Sequence, residues 1–146
     1  MLIDQVTNAD AAPVLEAALQ FAGRRHELIA HNIANLDTPN FLPVDVSVKD
    51  FQSQLAQAVD RRRDRFGGMR GDLQIRSSRE VEQDADGDIR LRPTPSSNNI
   101  LFHDRNNRDL ERSMQDLVEN VASFRVSSEL LRQHTQMMRM AITGRL

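Results

Sequence analysis

Residues 11–41, AAPVLEAALQFAGRRHELIAHNIANLDTPNF, decide the fold. Within them Leu15, Leu19, Ala22, His26, Ile29, Ile33 and Leu36 recur at alternating steps of four and three. That spacing is the a/d seam of a coiled coil rather than the wider apolar stripe of a helix resting on a globular core. Asp10 suits the N-cap, where a side-chain oxygen accepts from a free amide of the first turn, and Pro13 suits an early helical position that needs no N–H. At the other end Thr38-Pro39 opposes continuation, because the proline ring pushes the residue before it out of the helical region. The spacing predicts a helix over about 11–36.

The last third repeats the pattern. Leu110, Met114, Leu117, Val121, Phe124, Ser128, Leu131, Thr135, Met138 and Ile142 again step four and three, which predicts a second helix over about 108–143 that ends near Gly144. At a rise of about 1.5 Å per residue this helix is roughly 50 Å long and needs a partner along its length. The fold class follows: mainly α, with two long terminal helices packed as an antiparallel, coiled-coil-like pair. Such a pair leaves much seam uncovered, and a large exposed apolar face usually marks an interface with other subunits.

Between the helices the chain is polar and Arg-rich. Asp50–Ala58 reads as a short helix, and Leu73–Arg76 and Ile89–Arg92 alternate like marginal strands. Asp86-Gly87 is a turn signal and residues 93–99, PTPSSNN, are breaker-rich loop. The organisation expected is a flexible N-terminus at 1–10, a first helix with loop and short helix at 11–58, a flexible Arg-rich middle at 59–102, and the C-terminal helix within 103–146.

Composition narrows the function. Of 146 residues 39% are apolar but only 4% aromatic, with six Phe and no Trp or Tyr, which is enough for helices and thin for a large spherical core. A net charge of -2 gives no general attraction for phosphate backbones or anionic lipid. Arg61-Arg62-Arg63-Asp64-Arg65 is the one basic cluster, but from Asp60 to Arg92 nine Arg are matched by eight acidic residues, so it reads as solvated linker rather than a nucleic-acid site. The absence of cysteine removes disulfides and thiolate zinc sites. No basic n-region precedes an apolar run at the start, and no stretch approaches the length of a membrane helix, so the expectation is a chain that does not span a membrane and carries no conventional secretory signal.

Catalytic patterns are equally thin. His26-Glu27-Leu28-Ile29-Ala30-His31 has one residue more than the H-E-x-x-H zinc motif, and residues five apart on a helix point about 140° apart, so the two imidazoles cannot share an ion. His103-Asp104 and His134 have no nucleophile beside them, and Gly67–Gly71 follows a charged helix end rather than a strand, which makes it a hinge or loop rather than a phosphate-binding site. No catalytic residue, cofactor, metal or small-molecule substrate is expected.

The run Ala30-His31-Asn32-Ile33-Ala34-Asn35-Leu36-Asp37-Thr38-Pro39-Asn40-Phe41, followed by Asp50-Phe51, resembles the N-terminal signature of the bacterial flagellar basal-body rod proteins. In that family a helix ends in I-A-x-N-I-A-N, followed by a T-P-G-Y-like turn and a D-F pair. Residues 106–114, NNRDLERSM, are similar to the family's entry to its C-terminal helix, and Glu119-Asn120 to Phe124 to its E-N-x-x-x-Y segment. Asn40 stands in place of the turn glycine, which asparagine can replace because it tolerates a left-handed backbone. Arg108 and Ser113 stand where the family has valine and glutamate.

The resemblance, which is nearest to the short proximal rod subunits, implies a structural, non-enzymatic part of the basal body. It implies export through the flagellar type III apparatus, partners among other rod proteins and basal-body base components, and helical assembly. The signature positions are Asn32, Ile33, Ala34, Asn35, Thr38, Pro39, Phe41, Asp50 and Phe51. Helix and subunit packing is expected of Leu15, Leu19, Ala22, Ile29, Ile33 and Leu36 on the first helix and of Leu117, Val121, Phe124, Leu131, Met138 and Ile142 on the second. A cytoplasmic coiled-coil adaptor would share the helices, but it has no reason to carry the signature; another axial paralogue of the rod would carry both.

Overall fold

The structure is a computed structural model and describes residues 11–67, 71–95 and 110–144. The expected flexible stretch 1–10, part of the 93–99 loop, His103-Asp104 and the 106–109 helix entry lie outside the described residues. Among the described residues three helices and four short strands follow in order: α1 Ala12–Ala34, β1 Val44–Asp45, α2 Val48–Phe66, β2 Val81–Gln83, β3 Ile89–Leu91, β4 Thr94–Pro95 and α3 Leu110–Thr143. The fold is mainly helical, and the long terminal helices α1 and α3 pack together. Arg25 stands opposite Asp116 and Ala22 opposite Asn120, so the two run antiparallel.

α1 begins without a side-chain cap, since its N-cap position falls on Ala11, and Pro13 sits in the first turn where no amide is needed. α2 is longer than the Asp50–Ala58 expected. Ser47 accepts from the Asp50 amide at 3.2 Å and starts the helix two residues earlier. The arginine run then continues it, because straight-chain residues lose little rotamer freedom in a helix. It stops where Gly67, at φ 69, turns left-handed and returns its N–H to the Arg63 carbonyl at 2.9 Å.

β2 and β3 form an antiparallel hairpin in which Val81 pairs with Leu91 and Gln83 with Ile89, and Gly87 takes the left-handed position of its turn. β1 pairs with β4, with Val44 opposite Pro95 and Asp45 opposite Thr94. The strand expected at Leu73–Arg76 is absent. Its alternation is nevertheless used, with Leu73 and Ile75 both buried. In place of a neighbouring strand the side chain of Gln83 accepts from the Ile75 amide at 2.7 Å and donates to the Leu73 carbonyl at 3.2 Å.

The core is small and lies to one side of α1. Ala17 and Phe21 of α1 meet Phe51 and Ala58 of α2, Val46 of the loop, and Leu73, Ile75, Val81 and Ile89 from the middle of the chain. Phe21 and Phe51 stack with ring centroids 3.9 Å apart and planes 2° from parallel. The segment that composition marks as polar linker therefore supplies four of the buried apolar side chains, each flanked by charge.

Candidate functional site

The signature run sits where α1 ends and the chain turns back. Asn35 is the C-cap; its N–H reaches the His31 and Ile33 carbonyls, and its side-chain Nδ2 donates to the His31 carbonyl at 2.9 Å. The next turns close through Thr38 N–H to the Asn35 carbonyl at 2.9 Å and Phe41 N–H to the Thr38 carbonyl at 3.2 Å. Asn40 stands at φ 60, the left-handed region, and the Phe41 ring settles 5.5 Å from that of His31. Thr38, Pro39, Asn40 and Leu42 stay exposed, so this hydrogen-bonded loop faces solvent.

Asn32 holds that loop to the helix. It is buried, and its side-chain amide meets the backbone of Val44 on both sides: Nδ2 donates to the Val44 carbonyl at 2.7 Å and Oδ1 accepts from the Val44 N–H at 3.1 Å. The amide imitates a strand partner, which requires a donor and an acceptor in one plane. About two helical turns earlier, the buried Arg25 grips the following residue, Asp45. Its Nε and Nη2 donate to the two oxygens of Asp45 at 2.9 and 2.7 Å, a bidentate pair, and Asp45 Oδ1 also accepts from the Val46 amide at 2.8 Å. Burial works against the guanidinium charge, but the hydrogen bond and charge of Asp45, with Asp116 and Glu119 behind it, hold its pKa above the ordinary value.

Phe51 carries the signature into α2 by stacking on Phe21, while Asp50 lies exposed in the first turn, where a carboxylate suits the helix dipole. Val46, between them, is in the core. A third carboxylate braces the same corner, since Glu80 accepts from the Ser47 amide at 2.7 Å and from the Thr94 hydroxyl at 2.8 Å.

The helix seam is less evenly used. On α1 Ala22 and Ile29 are buried, Leu15, Leu19, Ile33 and Leu36 half-buried, and Ala34 exposed. His26, expected in the seam, is exposed; the buried stripe instead runs Ala22, Arg25, Ile29, Asn32, because Arg25 and Asn32 have partners in the loop and His26 has none there. On α3 Leu117, Val121, Leu131 and Met138 are half-buried, while Phe124 and Ile142 are exposed. The Phe124 ring still touches α1, its Cε2 lying 3.8 Å from where a Cβ on Gly23 would stand. α3 buries only Asn120 and Ser127 among its described residues, and Asn120 Nδ2 donates to the Ala22 carbonyl at 2.8 Å.

No family model matches the chain. It is 29% identical to a flagellar basal body rod protein FlgB of Borrelia hermsii over 75% of this chain and 78% of the relative, and 28% identical to a flagellar basal body rod protein FlgB of Yersinia ruckeri over 80% and 81%. Both relatives are flagellar basal body rod proteins, and the chain is similar to them over three quarters or more of its length.

In this chain the signature run is a closure element: a capped helix end, a left-handed turn and a side-chain amide clamp that fix the loop against α1. The tempting chemistry does not assemble. His26 and His31 are both exposed, and among the described residues no three His, Asp or Glu converge as metal ligands. The arginine cluster is partly structural, which corrects its reading as solvated linker: Arg62 is 5% exposed and its Nε donates to the Gly71 carbonyl at 2.9 Å, and Arg61 Nη2 reaches the Gln74 carbonyl at 3.3 Å. Apolar spacing could not find Arg25, Asn32's role as a clamp, Gln20, Glu80 or Asn120, because each works through a polar partner distant in sequence. Gln20 shows it plainly, its Oε1 accepting from the Ile89 amide 69 residues away at 2.8 Å. The available signal was position: Arg25 and Asn32 lie three or four residues from Ala22 and Ile29, on the face a helix buries.

Proposed function

We propose that this chain is a structural subunit of the flagellar rod, of the proximal type, that assembles with copies of itself and other rod proteins above the basal-body base components after export by the flagellar type III apparatus. The observation that carries this reading is α3. It runs 34 residues, yet Val118, Val126, Leu130, Met137, Met140 and Ile142 all remain exposed on it. An apolar surface of that extent, on a helix already paired along one side, suits packing against neighbouring subunits. Contacts between unlike faces whose rotation does not close generate a helical tube. The exposed backbone of the signature loop, held by Asn32 and Asn35, offers a second defined surface at the opposite end of α1. The role is one of assembly, with no substrate, cofactor or nucleic acid. Among the described residues no helix is long and apolar enough to cross a membrane.

The test is genetic and structural together. Deleting the gene is expected to abolish motility and halt assembly before the hook, and mass spectrometry or labelling of isolated basal bodies is expected to find the protein in the rod. A deletion strain that still builds external filaments would overturn the proximal assignment.

A further inference from the structure

α3 carries a second apolar line that its pairing with α1 leaves uncovered. Val126, Leu130, Met137 and Met140 recur at steps of four, seven and three, the spacing of a coiled-coil seam, and are 59, 46, 57 and 50% exposed. The line that faces α1 is marked by Asn120 and Ser127, the buried residues of the helix. Counted at about 100° per residue, the second seam lies about 90° to one side of that line. Leu110, Met114 and Val118, exposed in the first half of the helix, lie about 130° to its other side. Charge divides α3 into the same halves. In the first, Glu111, Asp116 and Glu119 outnumber Arg112; in the second, Arg125, Arg132 and Arg139 outnumber Glu129.

We propose that the second seam of one copy packs on the first half of α3 of a second copy, parallel and shifted by about half the helix, so that each subunit receives one neighbour on Leu110, Met114 and Val118 and offers its seam to another. The inference rests on the assembly role proposed above and names the partner of the exposed α3 face. Charge selects the occupant. Two second halves side by side would set arginines against arginines, whereas the shift sets the basic half of one copy beside the acidic half of the next. Spacing fits the same partner: Leu110 and Met114 are four apart, as Val126 and Leu130 are, and a shift of about 16 residues, or about 24 Å, brings the two pairs level. A closed pair does not fit. In a two-fold dimer one patch meets its own copy, but these two surfaces lie about 140° apart around the helix, so one neighbour cannot cover both and the contact propagates. Three or four side chains on each side fall well short of the roughly 800 Å² per partner of a stable interface, so this contact is weak alone and is reinforced by the other contacts of the assembly.

The chain has no cysteine, so Met114→Cys and Leu130→Cys place thiols only on the two proposed surfaces. Oxidative cross-linking is scored in isolated basal bodies and, separately, on the purified full chain at high concentration, with circular dichroism showing that each variant keeps its helix content. Leu110→Cys with Val126→Cys, at the same shift, repeats the measurement where the first pair disturbs folding. The double variant should give cross-linked trimers and larger species, the two single variants mixed should give dimers, and either single variant alone should stay monomeric on a denaturing gel. Dimers from Leu130→Cys alone would mean that the seam pairs with itself, and a double variant that stops at dimers would mean a closed pair. No cross-link in either preparation would mean an occupant from elsewhere. Each of these three results overturns the proposal. A chain absent from basal bodies that still forms the ladder when purified would sink the rod assignment and leave this contact standing.

Discussion

α1 and α3 share one sequence rhythm and live in different surroundings. Both step four and three, yet α1 buries seven of its 23 residues and α3 two of its 34. The cause is the number of neighbours. α1 is covered on one side by α2 and the β2–β3 hairpin and on another by α3, whereas α3, among the described residues, packs mainly against α1. A seam in a sequence states that a helix has an apolar side; how much of that side is covered depends on what else the chain brings to it. On the assembly role proposed above, the uncovered share is the part available to other subunits.

The sharpest way to break the comparison is to remove the side chain on which the well-covered half turns. Phe51 is buried and stacked on Phe21, so Phe51→Ala is expected to cost about 3–5 kcal/mol, comparable to the whole stability of a marginal domain. Urea unfolding of the isolated protein should show a collapsed midpoint. An unchanged midpoint would mean that the α1–α2–hairpin core is not what holds the subunit together.

A smaller effect is expected at the loop. Asn32→Ala leaves the Val44 N–H and carbonyl without their partner amide, at a cost of about 1–3 kcal/mol. Asn32→Asp separates the two halves of the clamp, since a carboxylate can accept from the Val44 N–H but cannot donate to its carbonyl. Local exchange at Val44 and Val46 should accelerate in both variants before the hairpin amides do. If the hairpin opens first, the clamp is not the local closure described above.

These two positions also show how far the sequence could be read. Helix existence, the antiparallel pairing and the turn at Thr38–Phe41 were legible, because periodicity, proline and asparagine act through local chemistry. The left-handed Asn40 is the clearest case, since its need is set by its own backbone. The clamps were not legible. Asn32, Gln20 and Gln83 each stand in for a strand, pairing their side-chain amides with Val44, Ile89 and Leu73–Ile75, and no local rule reveals a backbone group that will arrive from elsewhere. The middle segment misleads for a related reason. Single apolar residues such as Val81 and Ile89 are diluted by flanking charge in any window average, yet both are almost fully buried.

Arg62 tests that dilution directly. Read as part of a charged run it should be silent on substitution, but its buried guanidinium ties α2 to Gly71 across the helix end. Arg62→Ala is expected to lower stability by about 1–2 kcal/mol through the lost charge-assisted bond and the lost packing of its stem, while the exposed neighbour Arg63→Ala should be neutral within about 0.5 kcal/mol. Equal effects in thermal unfolding would return Arg62 to the solvated linker.

The smallest effect on folding, and the one that most sharpens the contrast between the helices, is expected at Phe124. It is the one aromatic residue of α3, and it is 41% exposed, with its ring edge resting beside Gly23. Full truncation of a buried phenylalanine costs about 3–5 kcal/mol, but a ring that keeps so much of its surface in water forgoes most of that term, so Phe124→Ala should lower the stability of the isolated subunit by about 1 kcal/mol or less. Assembly is another matter. In the rod proposed above, the exposed face of that ring would be available to a neighbour, and burying it there would add the apolar area that the monomer leaves wet. Phe124→Ala is therefore expected to fold at matched expression, to keep the unfolding midpoint within a few degrees, and to lose incorporation into basal bodies together with motility. Phe51→Ala should fail at both steps, and the separation of the two variants is the measurement. Normal incorporation of Phe124→Ala would show that α3 meets its neighbours through some other part of its exposed face, and a large loss of monomer stability would show that α1 covers the ring more fully than its exposure indicates.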